Sequence, residues 1–222
     1  MAFIDDFEVS TDSGMQAAYV TNAVEVVDQQ NTTVNSSPEF GNPGGTAQWR
    51  WAQSFKLSGK TIITAVEIKQ GDVGYGSPTG NWTLRIETDN AGSPSGTLAN
   101  ANASKVVSPP GVNTIIKGTF DSSFNLVSNT TYWIVVQCNN QADTNVWRLS
   151  RNSNSSYADG DSKLSQNGGT SWGAGSGDLY FKVYTLALQS YSEATIKTQG
   201  SYALKAVAAI TDSLNKTLTK TF

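Results

Sequence analysis

The run Thr130-Thr131-Tyr132-Trp133-Ile134-Val135-Val136-Gln137-Cys138 constrains this chain more than any other. Tyr132 to Val136 are all aromatic or β-branched, types that fit a pleated surface and lose rotamer freedom in a helix. In an extended chain the side chains alternate. Tyr132, Ile134 and Val136 then point one way, and Trp133 and Val135 the other. Both faces are apolar, so the strand needs cover on both sides, or on one side plus a partner. This implies a layered β protein. The run carries no catalytic group.

The rest of the 222-residue chain agrees with that class. Charged residues make up 15%, against ~25% in ordinary globular proteins. Asn, Ser, Thr and Gly fill the difference, which suits short strands joined by turns. Trp49, Trp51, Phe55 and Leu57 share a parity that only Gln53 breaks. Residues 62–68 read as a strand with Val66 and Ile68 on one face. Trp82, Leu84 and Ile86 alternate with Thr83, Arg85 and Glu87. Further strands are expected over residues 113–120, 131–138, 146–150 and 179–184, with residues 121–126 as a link. Residues 88–96 form a turn-rich loop, and Asn167-Gly168-Gly169 forms a turn. Strands so spaced indicate a sandwich or jelly roll.

The ends differ in character. Ser10 or Asp12 is placed to cap a short helix over residues 13–20, with a strand over residues 24–27 after it. Residues 28–45 are polar and contain Gly and Pro, as a long loop or linker would. Beyond Tyr184, strands are expected within residues 195–200, 201–207 and 214–222. The chain stops on a strand-like residue, which implies either a docked terminal strand or a cut inside a domain.

Composition also removes function classes. The formal net charge is −3 and no basic stripe exists, which argues against nucleic-acid binding. Without histidine the chain lacks the commonest general base, the Ser-His-Asp arrangement and the usual zinc ligands. Cys138 is the single cysteine, expected as a buried, inert thiol. The acidic start, Ile4-Asp5-Asp6-Phe7-Glu8, has no apolar signal core, and no run approaches the ~20 apolar residues of a membrane span. A soluble, non-catalytic protein with no membrane insertion is expected.

Two chemistries remain. Asp159 and Asp161, in a Gly-containing loop, offer hard oxygen ligands for a structural Ca²⁺; the same residues are also ordinary turn formers. Asp5 or Asp6 with a distant carbonyl is a second such option. Aromatic side chains are the other candidate, since sugars stack on exposed rings while polar groups take the hydroxyls. Trp82 and Trp133 read as core. Tyr75 on a loop, Trp147 with Arg148, and Trp172 in a Gly-rich loop are the candidate glycan-binding residues. Each is equally placed to pin a hairpin.

Several pieces then line up with a known class. They are Ala52-Gln53-Ser54-Phe55, the strand from Ile63 to Ile68, Pro94-Ser95-Gly96, and the run from Leu126 to Val136. Later come Tyr157-Ala158-Asp159-Gly160, Gly168-Gly169-Thr170-Ser171-Trp172, and Asp178-Leu179-Tyr180-Phe181-Lys182-Val183-Tyr184. In order and spacing, residues 52–184 resemble a jelly-roll module of bacterial surface proteins and phage structural proteins, related to galactose-binding-like and carbohydrate-binding β-sandwiches. Ile4-Asp5-Asp6-Phe7-Glu8 and Gly200-Ser201-Tyr202-Ala203-Leu204-Lys205 are similar to two segments of laminin-like or carbohydrate-binding jelly rolls that lie close together in sequence. Here the central module separates them. The expected organisation is therefore a jelly-roll sandwich over residues 31–187, inserted into a small discontinuous β domain of residues 1–30 plus 188–222. Two domains in series is the alternative.

The resemblance implies a virion structural protein, of head-decoration or tail-fibre type, acting as a homo-oligomer or beside other virion proteins. Glycan-binding loops fit either that role or the alternative, a carbohydrate-binding module of a secreted, extracellular multidomain protein.

Overall fold

A computed structural model describes residues 23–41, 48–72, 76–139, 145–188, 194–197, 203–210 and 216–221. Among them every regular element is a strand. In chain order these begin with β1 (Ala23–Asn31), β2 (Glu39–Gly41), β3 (Arg50–Lys56), β4 (Ile62–Lys69), β5 (Trp82–Asp89) and β6 (Pro94–Leu98). Next come β7 (Ser104–Val107), β8 (Ile115–Asn125), β9 (Thr131–Cys138), β10 (Val146–Arg148), β11 (Arg151–Asn152) and β12 (Ser162–Ser165). The last are β13 (Gly173–Ala174), β14 (Asp178–Leu179), β15 (Phe181–Leu188), β16 (Ala194–Lys197), β17 (Ala203–Ile210) and β18 (Lys216–Thr221).

The chain divides into two compact units, one spanning Val27–Thr185 and the other formed by the chain on either side of it. In the flanking unit β17 pairs antiparallel with both β16 and β18. The helix expected over residues 13–20 lies outside the described residues, as do Asp5 and Asp6.

In the Val27–Thr185 unit, the large sheet runs β13-β12-β3-β9-β5-β6, with β7 also on β5. A second sheet runs β1-β15-β4-β8. The two share one apolar core, an all-β arrangement consistent with a β-sandwich. Trp51, Phe55, Leu84, Ile86, Tyr132, Ile134 and Val136 come from the large sheet, and Ile63, Val66, Phe120, Phe124, Phe181 and Val183 from the other. β9 is central, paired to β3 and β5, and both its faces are covered. Trp133 and Val135 join Ala52 in a separate outer cluster on which Trp172 packs. Full burial of each large apolar side chain contributes roughly 1.5–3 kcal/mol.

Gln53, the parity break of β3, points inward with its neighbours and is fully buried. Its Nε2 donates to Asp178 Oδ1 at 3.3 Å, and its Oε1 accepts the Leu179 N–H at 2.9 Å. A buried amide so satisfied joins the middle of β3 to β14. Asp178 also accepts the Tyr157 N–H at 2.9 Å. β4 departs from simple alternation because Ile63 and Ala65 pair with the adjacent β15 residues Thr185 and Tyr184, leaving one extra residue in β4. The extra residue lets Ile63 and Val66 both reach the core.

Four expectations are corrected. Residues 28–45 are not a continuous loop: β1 runs on to Asn31, and β2 places Phe40 fully buried, edge-on to Trp82 at 4.9 Å. Residues 121–126 are not simply a link, because β8 continues to Asn125; Phe120 and Phe124 both face the core and touch edge-on at 5.1 Å. The loop over residues 88–96 shrinks to a tight turn, in which Asn90 and Ser93 exchange backbone hydrogen bonds between β5 and β6. Residues 179–184 span the last residue of β14 and the start of β15, which runs on to Leu188.

The outer face of the second sheet is closed by polar chemistry. Glu67, 6% exposed, accepts from Tyr180 Oη at 2.8 Å, Tyr184 Oη at 2.6 Å and Lys182 Nζ at 2.8 Å. Burial pushes its carboxyl up, but the hydrogen bonds from Lys182, Tyr184 and Tyr180 outweigh that and hold it below the usual value. Burial and the Glu67 hydrogen bond push the Tyr184 phenol up to about 12.

Two tests follow from this packing. Gly177 has φ 89°, and a Cβ there would lie 1.9 Å from the Asn152 carbonyl oxygen. Gly177→Ala is expected to lower stability by about 2–4 kcal/mol, read as a lower urea midpoint; an unchanged midpoint would contradict the packing. A carboxyl depressed in the folded state stabilises above its unfolded pKa of about 4.3. That stabilisation is lost as pH falls through the folded value. Glu67→Gln is therefore expected to be less stable than wild type at neutral pH and to lose less on acidification, measured by urea denaturation across that range.

Candidate functional site

Chain-distant segments meet beside β3 of the large sheet. In the β2–β10 ribbon Glu39 stands directly opposite Arg148, and Phe40 opposite Trp147. Trp49 bridges to Gly41, and Ser36 to Arg151. On the other side β12 pairs with β3 so that Leu164 lies opposite Trp51. The space between is a groove of about 370 Å³ lined by Glu39, Trp49, Trp51, Arg148, Arg151 and Leu164, with small residues at its margins.

Its side chains are held from several directions. Arg148 Nη2 meets Glu39 Oε1 at 3.1 Å, a cross-strand ion pair. Trp51 Nε1 donates to the Glu39 carbonyl at 2.7 Å, fixing the indole. The Arg151 guanidinium stands over the Trp51 ring, 5.4 Å from its centroid. Arg151 Nε reaches Ser36 Oγ at 3.4 Å. Burial pulls the Arg151 guanidinium below its ordinary value. The groove thus offers aromatic surface, a fixed carboxylate and two guanidinium groups.

Of the residues singled out from sequence, Arg148 lines this groove. Trp147, its neighbour, turns to the opposite side of the ribbon and packs edge-on against Trp82 at 5.5 Å; its Nε1 is buried. Trp172 is half-buried on the outer cluster of Ala52, Trp133 and Val135. Tyr75 lies outside the described residues. Glu39, Trp49, Trp51 and Arg151 were not singled out. The shared parity of Trp49 and Trp51 was visible, but it indicated only a strand. Glu39 and Arg148 are brought together from 109 residues apart.

Asp159 and Asp161 line a different depression, of about 360 Å³, on the outer face of the large sheet with Asp89, Lys56, Ser54 and Trp133. Asp89 is already engaged there: its Oδ1 accepts Trp133 Nε1 at 2.7 Å and its Oδ2 the Gly92 N–H at 3.1 Å. The backbone of Asp161 is pinned to Ser54 through N–H and carbonyl contacts of 2.7–3.2 Å. Among the described residues no three acidic, His or Cys side chains gather to hold a metal ion. Ca²⁺ takes six to eight oxygens, so Asp159 and Asp161 alone do not supply its shell. Cys138 is buried, its Sγ 3.7 Å from the Thr79 carbonyl. Among the described residues no helix is long and apolar enough to cross a membrane.

Compared with family models, curated proteins and solved structures, the chain matches none of them.

Proposed function

We propose that the Val27–Thr185 unit is a non-catalytic, carbohydrate-binding jelly-roll module whose binding site is the Trp49–Trp51–Arg148 groove. The observation that carries this reading is the groove's composition. Half-buried Trp49 lies beside a carboxylate and a guanidinium fixed to each other across a ribbon. An aromatic ring offers a flat apolar surface to the C–H face of a pyranose, and paired charged groups accept and donate to its hydroxyls. Glu39, Trp51 and Arg148 sit on paired strands and Trp49 on a backbone bridge next to β3, so little ordering is left to offset on binding.

The face-to-face sheets and their non-sequential strand order support the jelly-roll assignment. The division of the chain, with one unit built from sequence on both sides of the other, supports an inserted module. The setting we favour is the surface of a phage-like particle, as a structural component in symmetric copies that also engages glycans. Its support is the Asn/Ser/Thr-rich β composition with a single cysteine, together with the sequence resemblance. A carbohydrate-binding module of a secreted protein is the alternative setting for the same site.

A glycan array probed with the full chain is expected to give binding to a restricted set of sugars. Trp49→Ala should weaken that binding about tenfold or more, since stacking and burial of an indole are worth well over 1 kcal/mol, with a cooperative unfolding transition retained. An array with no binder would refute the glycan reading.

A further inference from the structure

We infer that the groove selects acidic sugars, holding the carboxylate of a uronic or sialic acid unit on Arg151. This deepens the glycan reading above and rests on it. The argument begins with charge. Among the described residues that line the groove the ionic groups are Glu39, Arg148 and Arg151, two guanidinium groups against one carboxylate. Glu39 is committed to Arg148, which leaves Arg151 as the surplus cation.

Arg151 is also under-used. A guanidinium has five N–H donors in a fixed fork. Among the described residues only Nε of Arg151 has a polar partner, the neutral Ser36 hydroxyl at a long 3.4 Å, and no carboxylate pairs with it. Ion-paired cations elsewhere show the contrast, among them Arg85, which meets Glu87 at 2.7 Å, and Lys182, which meets Glu67 at 2.8 Å. Burial depresses the Arg151 guanidinium with no compensating carboxylate. Its guanidinium carbon lies 5.4 Å from the Trp51 ring centroid, a cation–π contact that restrains the side chain beside the groove.

A carboxylate satisfies this arrangement better than a hydroxyl. It accepts two parallel N–H bonds from one guanidinium, and such charge-assisted pairs are roughly twice as strong as neutral ones. A sugar carboxylate reaching Arg151 would leave its ring over the groove, beside Trp49. The exposed acidic residues of the other depression present no comparable cation surplus, since Lys56 there faces Asp89, Asp159 and Asp161.

The test compares matched probes by titration calorimetry on the full chain: trigalacturonate against its methyl ester, and 3′-sialyllactose against lactose. At least one acidic probe is expected to bind about 10- to 100-fold more tightly than its neutral match. That preference should shrink as salt rises from about 50 to 500 mM, because a partly exposed ion pair is screened. Arg151→Gln should weaken the acidic probe far more than its neutral match and so collapse the preference, while Arg151→Lys keeps part of it. If acid and neutral forms bind alike, or Arg151→Gln keeps the preference, the acidic-sugar inference falls and the glycan reading survives. If no sugar binds here or on the array, both fall. The wild-type salt and ester comparisons decide the matter even if Arg151→Gln fails to fold.

Discussion

Two-sided burial of β9 is the constraint on which the rest of the structure depends. An antiparallel strand in a simple sandwich has one wet face. Tyr132, Ile134 and Val136 fill the core, while Trp133 and Val135 are equally buried on the other side of the sheet. The outer face must therefore carry its own cover, and that cover is largely polar. Trp133 Nε1 donates to Asp89, and Trp172 packs over the small outer cluster. Directly opposite Trp133 on β5, Glu87 is 2% exposed, its carboxylate held by Arg85 and the Gly96 N–H. Each of those groups would cost free energy if buried unpaired, so the loops that supply partners are as much part of the fold as the strands.

The same accounting explains where the groove lies. Along the middle of the large sheet, β3, β9 and β5 satisfy one another's backbone groups. At its flank β2, β10, β11 and β14 are only two or three residues long and pair in ribbons. Short ribbons cannot extend the ladder, but they cover its end and bring side chains from distant sequence together. Glu39, Arg148 and Arg151 meet Trp51 because of this arrangement, and Trp51 belongs at once to the core and to the groove. Its indole is fixed by the Glu39 carbonyl, so packing of the sandwich end and geometry of the site are one interaction.

How much of this was legible in the sequence follows from the range of the forces involved. β5 could be read because its apolar and polar residues alternate strictly, and β9 because it is an unbroken aromatic and β-branched run. The bulge in β4 was hidden because an extra residue destroys that alternation without leaving a turn residue behind. Phe40 was masked by the glycines and proline that follow it, although it is fully buried. Gln53 looked like an interruption; it is an inward amide whose partners, Asp178 and Leu179, lie 125 and 126 residues away. In the groove, Arg148 stood out beside an aromatic residue. Its value depends on Glu39 and on the contrast with Arg151, and pairing of side chains across ribbons is set by tertiary register, which no single-chain periodicity carries.

Net charge gave a similarly partial guide. A formal charge of −3 argues against polyanions such as nucleic acid, which need many cations in a row. It does not argue against one carboxylate. At physiological ionic strength the field of a surface charge fades over about 8 Å, so an acidic residue elsewhere on the surface hardly affects a ligand in the groove. What acts there is the local set, two guanidinium groups and one carboxylate, partly removed from water and facing an aromatic wall. Reduced hydration strengthens the attraction of Arg151 for an anion, and it equally raises the free energy of leaving that cation without one. A chain with so few charges that still places an uncompensated guanidinium against a tryptophan in a groove has spent stability at that point, and selective binding is the return that such an arrangement can give.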